Sequence, residues 1–382
     1  DKKKIKIIDR VYFPDSLGVF YESFTQLIGF KNYGDEYKVM GLAPYGEPKY
    51  KDVIMRELID LKNDGSFKLN MKYFNYATGL TMTNQKFSNL FKNPVRDPKK
   101  DLLTQFHMDI AASIQSVIEE IILKLTKSIS KEFNSRNLCL AGGVALNCVA
   151  NGKILKEKIF DNLWIQPAAG DAGGALGAAL AFWFKELNNP REVNLKDEMM
   201  GSYIGPSFSE ELIEKKLKLL NANFQKLSEE NLINIVAKEL NNGKIVGWFQ
   251  GKMEVGARAL GNRSILASPL ISDMKDKINL EVKHREDWRP FCPSIKEEKY
   301  EEYIDASSDS PFMIMAFPVK DNYIDKIPSC VHVDGTARPQ VVKRSINKRY
   351  WELIDEFEKI TGFGIILNTS FNIQGEPIVL SP

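Results

Sequence analysis

Two glycine-rich turns are the first segments whose residue types and spacing suggest chemistry. Gly142-Gly143 follows a short apolar stretch, and Gly170-Asp171-Ala172-Gly173-Gly174 follows a second one. Glycine at such a turn lets backbone N–H groups approach a phosphate at the positive end of the next helix. A tight turn with close helix packing explains either segment alone, and only the pair of turns favours a ligand site. Asp171 suits a divalent cation or the N-cap of the following helix, and these two roles are compatible.

Two basic runs, residues 250–264 and residues 283–290, are the next candidates. Their cations include Lys252, Arg258, Arg263, Arg285 and Arg289. Arginine forks bind phosphate oxygens with two parallel hydrogen bonds, and several together can stabilise a phosphoryl group during transfer. A solvated basic face is the usual explanation of a charge run. The glycines and apolar flanks of the first run do not resemble an exposed helix, so we favour phosphate binding, with Ser264 beside the arginines.

Two polar clusters stand where apolar stretches end. One is His332-Val-Asp-Gly-Thr-Ala-Arg338 and the other is Asn368-Thr-Ser-Phe-Asn372. Ligand sites of α/β proteins lie at strand ends, which favours a binding role. Asn, Asp and Ser also hydrogen-bond their own backbone in turns, which favours a purely local role. The spacing does not decide between these interpretations.

The elements that must position these residues follow from hydrophobic periodicity. Apolar residues at three- and four-residue steps predict an amphipathic helix over 102–126. Strands are predicted over 137–141 and 163–166, each leading into one of the glycine turns, and an apolar helix extends to about residue 187. A strand, a glycine turn and a helix, twice over, indicate an α/β fold.

The polar segment 188–200 lacks a period and predicts a domain boundary, which gives domains 1–195 and 201–382. In the second domain, Ser209 is a predicted N-cap with acidic residues behind it. The remaining predicted elements are helices over 229–243 and 350–360, the second ended by Thr361-Gly362, and strands over 244–249 and 364–367. The second domain is therefore also predicted to be α/β.

The composition is that of an ordinary globular protein. Of 382 residues, 43% are hydrophobic and 27% are charged, and 52 basic side chains nearly balance 50 acidic ones. This balance gives no reason to expect a nucleic-acid partner, and no apolar run is long enough to predict a membrane partner. The four cysteines lack paired spacing, which is typical of reduced thiols in a cytoplasmic protein.

An ordered series of eight segments covers nearly the whole chain. They are Phe13–Tyr21, Glu36–Gly46, Ala141–Asn147, Pro167–Gly177, Gly261–Leu266, His284–Phe291, His332–Arg338 and Leu367–Asn372. Together they resemble the successive motifs of the O-carbamoyltransferases of nodulation and antibiotic tailoring. So many motifs in the same order make the resemblance specific.

The resemblance implies an ASKHA-like α/β domain, similar to threonylcarbamoyl-transfer proteins, followed by a YrdC-like α/β domain. The YrdC-like domain is expected to make carbamoyladenylate from carbamoyl phosphate and ATP, with Mg²⁺ and with release of pyrophosphate. The ASKHA-like domain is expected to pass the carbamoyl group to the hydroxyl of a sugar or natural product, assisted by a divalent metal such as iron. The expected partners are these small molecules, and a homodimer is left open.

The resemblance also implies roles for single residues. Asp171 is implied to be a metal ligand, and Arg258, Arg263 and Arg289 are implied to act with it in catalysis. The residues implied to bind the nucleotide or the carbamoyladenylate are Gly142, Gly143, Asn147, Gly170, Gly173, Gly174, Lys252, Ser264, Arg285, Asn368 and Ser370.

The chain departs from the family pattern in two ways. An upstream His-x-x-x-His metal motif with a further acidic ligand finds no match, so we expect a fragment that lacks most of the first ASKHA lobe, with the other metal ligands upstream. In the basic loop, the family pattern has Arg, Phe and Pro where this chain has Lys252, Val255 and Ala257.

Two other functions fit parts of the sequence. An ASKHA-type kinase of sugars or small acids would use the same glycine turns without needing an arginine-rich second domain. A non-catalytic nucleotide-binding module is the other alternative, since most of the expected metal ligands are not in the chain. Pyrophosphate as the product separates carbamoyladenylate formation from a kinase reaction, which releases ADP.

Overall fold

The computed structural model describes residues 5–32, 34–192, 194, 197–306 and 308–382. The chain divides into two compact units, unit 1 (Asp1–Arg191) and unit 2 (Glu192–Pro382). Within the segment 188–200, where the sequence predicts the domain boundary, residues 193, 195 and 196 lie outside the described part. None of the described helices is both long and apolar enough to cross a membrane.

Unit 1 is built from helices and short strands. Its helices are α1 (Leu17–Leu27), α2 (Glu36–Leu42), α3 (Lys51–Glu57), α4 (Gln85–Phe91), α5 (Gln105–Phe133), α6 (Cys148–Lys156) and α7 (Gly173–Ala181). Its strands are β1 (Ile59–Leu61), β2 (Phe67–Leu69), β3 (Asn137–Leu140) and β4 (Asn162–Ile165). Short 3₁₀ turns occupy Ala43–Tyr45 and Gly143–Leu146, and a π-helical turn over Phe182–Glu186 continues α7.

The helix α5 contributes a row of buried apolar residues to the core of unit 1. Ile110, Ile114, Val117 and Ile121 recur every three or four residues along it and are fully buried, as expected for an amphipathic helix. Thr104 forms a capping box with the third residue of the helix, which fixes where α5 begins. The predicted helix over 102–126 is confirmed, and it continues to residue 133.

The strands β3 and β4 pair in parallel, as a two-stranded sheet. The carboxyl ends of parallel strands lie at the same edge, so the glycine turns that follow them meet. The N–H of Gly142 donates to the carbonyl of Ala169 at 2.7 Å, which joins the two turns. Both strands were predicted from the sequence. Behind the second turn, α7 is strongly apolar, although none of its residues is buried.

Unit 2 is built around a mixed sheet. Its helices are α8 (Glu210–Leu219), α9 (Glu229–Asn241), α10 (Met274–Lys277), α11 (Tyr300–Tyr303), α12 (Asp321–Ile324) and α13 (Lys348–Thr361). Its strands are β5 (Val246–Phe249), β6 (Arg263–Ala267), β7 (Cys292–Lys296), β8 (Phe317–Pro318), β9 (Thr336–Ala337), β10 (Gln340–Val342) and β11 (Ile365–Ser370). Further helical turns occupy Met200–Ser202, Ile278–Lys283, Glu297–Lys299 and Pro328–Cys330.

Five of these strands form one sheet in the order β10-β7-β11-β6-β5. The pair β10 and β7 is parallel, and the other neighbours are antiparallel. Successive residues of the central strands enter different apolar clusters: Leu266 and Ile366 pack with α9 and α13, and Ala267 and Leu367 pack with α10. Because side chains alternate along a strand, both faces of the sheet are covered.

The predicted elements of unit 2 are confirmed, with small shifts at their ends. The Ser209 hydroxyl accepts the N–H of Leu212 at 3.3 Å and caps α8 as predicted. Gly362 ends α13 with φ +81°, a conformation that favours glycine. Like unit 1, unit 2 is therefore a mixed α/β structure.

Candidate functional site

The two glycine turns of unit 1 hold glycines of two kinds. At Gly173 a Cβ atom would lie 2.0 Å from the carbonyl oxygen of Ala168, so close packing requires glycine there. At Gly142, Gly143 and Gly174 a Cβ would meet no described atom within 4 Å. At Gly170 it would make an ordinary contact of 3.7 Å with Leu146. The turns thus combine one packing glycine with backbone that a ligand can approach.

Asn147, a predicted nucleotide-binding residue, is engaged within the protein. Its Oδ1 accepts the N–H of Ala150 at 3.1 Å and so caps α6. Its Nδ2 donates to Oε1 of Gln115 at 3.0 Å, and the same oxygen accepts the Tyr21 hydroxyl at 2.8 Å. Burial, and secondarily the charge of Glu119, raise the pKa of Tyr21. This network fixes the turn to α5, and the binding role of Asn147 stays a prediction.

Asp171 is exposed on the turn that follows β4. The N-cap position of α7 is Ala172 and not Asp171, so the predicted N-cap role of Asp171 is wrong. Among the described residues, no three His, Cys, Asp or Glu side chains come close enough together to hold a metal ion. One carboxylate does not fit a divalent metal, which takes several ligands. Asp171 as a metal ligand stays a prediction, and we derive no step through a metal at this turn.

In unit 2, residues 250–262 form the loop that joins β5 to β6, and we call it the basic loop. Lys252 is exposed on it and Arg258 is half-buried. The hydroxyl of Ser264, buried at its end, accepts the N–H of Gly261 at 3.0 Å. Gly261 has φ +102°, and a Cβ there would lie 2.2 Å from the Tyr350 ring. Only glycine therefore fits at this position.

Arg263 is fully buried, at 0% exposure, where a catalytic arginine was predicted. Its Nη1 donates to the carbonyls of Gln250 at 2.7 Å and Asn262 at 2.9 Å, and its guanidinium lies 3.7 Å from the centroid of the Phe249 ring. Burial lowers the pKa of Arg263, and the charge of Glu254 opposes this effect. The guanidinium cross-links the basic loop in this structure, so its predicted contact with a phosphate stays untested.

A second basic centre lies around Lys283, which is 2% exposed. Its Nζ donates to the main-chain oxygen of Ser370, to the main-chain oxygen of Asn372 at 2.8 Å and to Oδ1 of Asn372 at 2.9 Å. The Ser370 hydroxyl in turn donates to Asn372 Oδ1 at 2.6 Å. The polar cluster at the end of β11 therefore holds a buried lysine in place.

The predicted residues Arg285 and Arg289 flank this lysine. Burial lowers the pKa of Lys283 to about 7, with further contributions from the charges of Arg285 and Arg289. Arg285 donates to Oδ1 of Asn279 at 2.7 Å, and Arg289 pairs with Glu286 at 3.4 Å. Burial is the main cause of this shift, and the two arginines add a positive potential that a bound anion would relieve. We call Lys283, Arg285, Arg289, Ser370 and Asn372 the cation site.

Asn368 connects the cation site to the basic loop. It is 1% exposed, and its Nδ2 donates to the carbonyl of Ala259 at 3.2 Å and to the hydroxyl of Ser294 at 3.0 Å. Two residues further along the same strand, Ser370 holds Lys283. The strand β11 thus contacts both the basic loop and the cation site, and Asn368 hydrogen-bonds to the loop backbone.

The other polar cluster, residues 332–338, makes local turn contacts at Asp334 and long-range contacts at Arg338. Oδ1 of Asp334 accepts the N–H of Thr336 at 3.0 Å and its hydroxyl at 2.7 Å. Arg338 places Nε and Nη2 at 3.2 and 2.9 Å from the sulfur of the buried Cys292. Spacing could not decide between a binding and a turn role for either cluster. In the structure Asp334 makes turn contacts, Arg338 makes a long-range contact, and the cluster at residues 368–372 supports a basic centre.

The structure thus brings together Arg285, Arg289 and Ser370 at one place, and Lys252, Arg258, Arg263 and Ser264 on or beside the loop. Sequence reasoning singled out neither Lys283 nor Asn372 as site residues. Both stood within polar or basic segments already noted, but the contact between them joins residues 89 positions apart.

Two family models match this chain, which is consistent with its two units. Residues 1–180 match the carbamoyltransferase N-terminus and residues 237–382 match the carbamoyltransferase C-terminus. An uncharacterized protein of Synechocystis is 50% identical, over 97% of this chain and 64% of that protein. Nodulation protein NolO of Bradyrhizobium diazoefficiens is 39% identical, over 98% of this chain and 66% of NolO.

An uncharacterized protein of Methanocaldococcus jannaschii is 35% identical, over 99% of this chain and 70% of that protein. The chain thus has two parts that each match one half of the family pattern. It belongs to the carbamoyltransferase family. It spans between 52% and 70% of the length of the curated relatives that match nearly all of it.

Proposed function

We propose that the protein is an ATP-dependent O-carbamoyltransferase that works in two half-reactions. In the first, carbamoyl phosphate, ATP and water give carbamoyladenylate, pyrophosphate and inorganic phosphate. In the second, the hydroxyl of a sugar or natural product attacks the carbamoyl carbon. The bond from this carbon to the AMP oxygen breaks, AMP leaves and the acceptor loses a proton.

The cation site is the observation that carries this proposal. The site holds three basic side chains, and the charges of Arg285 and Arg289 add to burial in lowering the pKa of Lys283. Both substrates of the first half-reaction are phosphate esters or anhydrides, and their charges complement such a site. Structural ion pairing accounts for Arg289, which pairs with Glu286, but not for Lys283, because pairing with a carboxylate would raise the pKa of the lysine.

Each residue of the cation site has a proposed role. Arg285 and Arg289 bind phosphate oxygens, and Lys283, whose N–H groups are held by Ser370 and Asn372, contributes its positive charge to the site from behind. Ser370 and Asn372 orient Lys283 through their oxygens. ATP is expected to enter as its Mg²⁺ complex, the form in which enzymes generally bind it.

We assign activation to unit 2, as a YrdC-like domain, and transfer to unit 1, as an ASKHA-like domain. The adjoining glycine turns of unit 1 support this assignment, because backbone at Gly142, Gly143 and Gly174 is open to a nucleotide. Asp171 lies on the second turn, and we propose that it takes part in the transfer step, the attack of the acceptor hydroxyl on the carbamoyl carbon. A water-excluded site would protect the labile adenylate between the two steps.

The first test measures pyrophosphate release from ATP in the wild type and in Lys283→Met. We expect release to depend on carbamoyl phosphate and to fall about a hundredfold or more in the variant, which lacks the positive charge of the buried lysine and the contacts that it makes with Ser370 and Asn372. Lys348→Met is the matched control, because Lys348 is an exposed lysine of unit 2 that pairs with Glu352. It should retain wild-type release.

The outcome distinguishes the proposed enzyme from its alternatives. Release of ADP with phosphorylation of an acceptor would identify a kinase. ATP binding without any turnover in the full gene product would identify a nucleotide-binding module. Either result would contradict the proposed half-reaction.

A further inference from the structure

The basic loop encloses a carboxylate. Glu254 is buried, and its Oε1 accepts three backbone N–H groups of the returning part of the loop: those of Leu260 at 2.6 Å, Asn262 at 2.8 Å and Arg263 at 3.3 Å. Converging backbone N–H groups of this kind form a typical anion-binding nest. Here the anion is a side chain of the protein.

Arg263 complements this carboxylate. While Glu254 accepts N–H groups of the loop, the guanidinium of Arg263 donates to its carbonyls, including those of Gln250 and Asn262. Neutral side chains complete the support: Gln250 and Gln340 donate to the carbonyls of Gly261 and Leu260, at 2.9 and 2.8 Å. The backbone of the loop is thus held from within by one internal anion and one internal cation.

Hydrogen bonds connect the basic loop to the strand β11, which carries part of the cation site. Asn368, on β11, donates to the loop carbonyl of Ala259, and the N–H of Phe371 donates to the carbonyl of Arg263 at 2.9 Å. Between them lies Ser370, which holds Lys283. A change in the loop would therefore displace the segment that orients the lysine.

We propose that Glu254 is a positioning residue for the phosphate-binding site of unit 2. Its carboxylate fills the nest of the basic loop, so the loop amides are not donors to the substrate. Phosphate groups bind to the side chains of the cation site and of the loop instead. The affinity for a nucleotide then depends on Glu254, although Glu254 itself touches no ligand. This inference rests on the proposed function of unit 2.

The test compares the wild type with Glu254→Gln, which keeps one acceptor oxygen and removes the charge, and with Glu254→Ala, which removes both. The measurements are KM for ATP and kcat in pyrophosphate release, and hydrogen exchange of the loop amides without ligand. We expect KM to rise about tenfold in Glu254→Gln, because neutral hydrogen bonds are weaker, and further in Glu254→Ala. The amides of Leu260, Asn262 and Arg263 should exchange faster in the same order, while kcat changes less than KM.

Asp355→Asn is the control, because Asp355 is a carboxylate of the same unit whose ion pairs, with Lys296 at 2.8 Å and Lys359 at 3.1 Å, involve no residue of the basic loop. It should keep the wild-type KM and loop exchange. If Glu254 only stabilises the fold, its variants should lose activity in proportion to the unfolded fraction while KM stays unchanged. That result would overturn the proposal. So would loop amides that exchange in Glu254→Gln as slowly as in the wild type.

Failure of the proposed function gives a different result. If the wild type releases no pyrophosphate, the affinity for ATP measured by calorimetry replaces KM, and the same order of variants is expected. Wild-type ATP binding that Glu254→Ala leaves unchanged would overturn the role of Glu254 alone. A wild type that binds no ATP would overturn both proposals.

Discussion

The pKa of Lys283 is set by contacts that favour its charged form and by surroundings that favour its neutral form. The oxygens of Ser370 and Asn372 accept hydrogen bonds from its ammonium group and favour the charged form. Burial favours the neutral form, as do Arg285 and Arg289, and the result is a pKa of about 7. In the unfolded chain a lysine titrates at about 10.4. Between these two pH values, the unfolded chain holds a proton at this position that the native protein has released.

This difference predicts a dependence of stability on pH. Stability rises with pH wherever the unfolded state binds more protons. The free energy of unfolding of the wild type should therefore rise relative to that of Lys283→Met as the pH increases from about 7 to about 10. Urea unfolding of both proteins at several pH values measures this difference. A difference that stays flat or falls over this window would contradict the shifted pKa.

Single residues also show where sequence reasoning reaches its limit. The basic character of the loop was evident, but whether Arg263 faces a ligand or the loop interior depends on the path of the backbone. The same holds for Glu254, which stands in the sequence as one acid in a basic run and accepts three amides in the structure. Burial of a charge is decided by tertiary contacts, which spacing along the chain does not contain.

At the scale of elements, the turn before α7 allows a sharp comparison of neighbouring glycines. A Cβ at Gly173 would overlap the carbonyl oxygen of Ala168, whereas one at Gly174 would meet no described atom within 4 Å. We predict that Gly173→Ala lowers the free energy of unfolding by about 1–3 kcal/mol. Gly174→Ala should leave it unchanged or raise it by about 0.5 kcal/mol, because alanine favours helix. Thermal or urea unfolding of the two variants measures both effects, and equal effects would show that the turn can relax.

The elements themselves were largely predictable. The three- and four-residue period of α5 and the Ser209 cap of α8 are local signals, and local signals suffice to predict a helix. The order of the five-stranded sheet was not predictable, because β11 inserts between β7 and β6 from the end of the chain. That insertion brings Ser370 and Asn372 to Lys283, so the cation site depends on the least local feature of the fold.

At the scale of the whole molecule, the two units predict two separable losses of function. Lys283→Met should lower adenylate formation about a hundredfold or more, and synthetic carbamoyladenylate should restore carbamoylation of the acceptor. Asp171→Asn should retain pyrophosphate release and lose carbamoylation, with no rescue by the adenylate. The measurements are pyrophosphate release and acceptor carbamoylation, both in the full gene product.

Two results would contradict this division of labour. Equal loss of pyrophosphate release in both variants, with both still folded, would place the two steps in one site. Rescue of Asp171→Asn by carbamoyladenylate would remove Asp171 from the transfer step while leaving the cation site in place.

The internal support of the basic loop bears on how this region could be transplanted or redesigned. Three side chains, those of Gln340, Asn347 and Asn368, donate hydrogen bonds to loop residues that lie 80, 85 and 109 positions away, respectively. A graft of residues 250–263 into another sheet would carry the charges of the loop without the side chains that shape it. To transfer the loop into another protein, its supporting residues, which are scattered along the chain, must therefore be transferred with it.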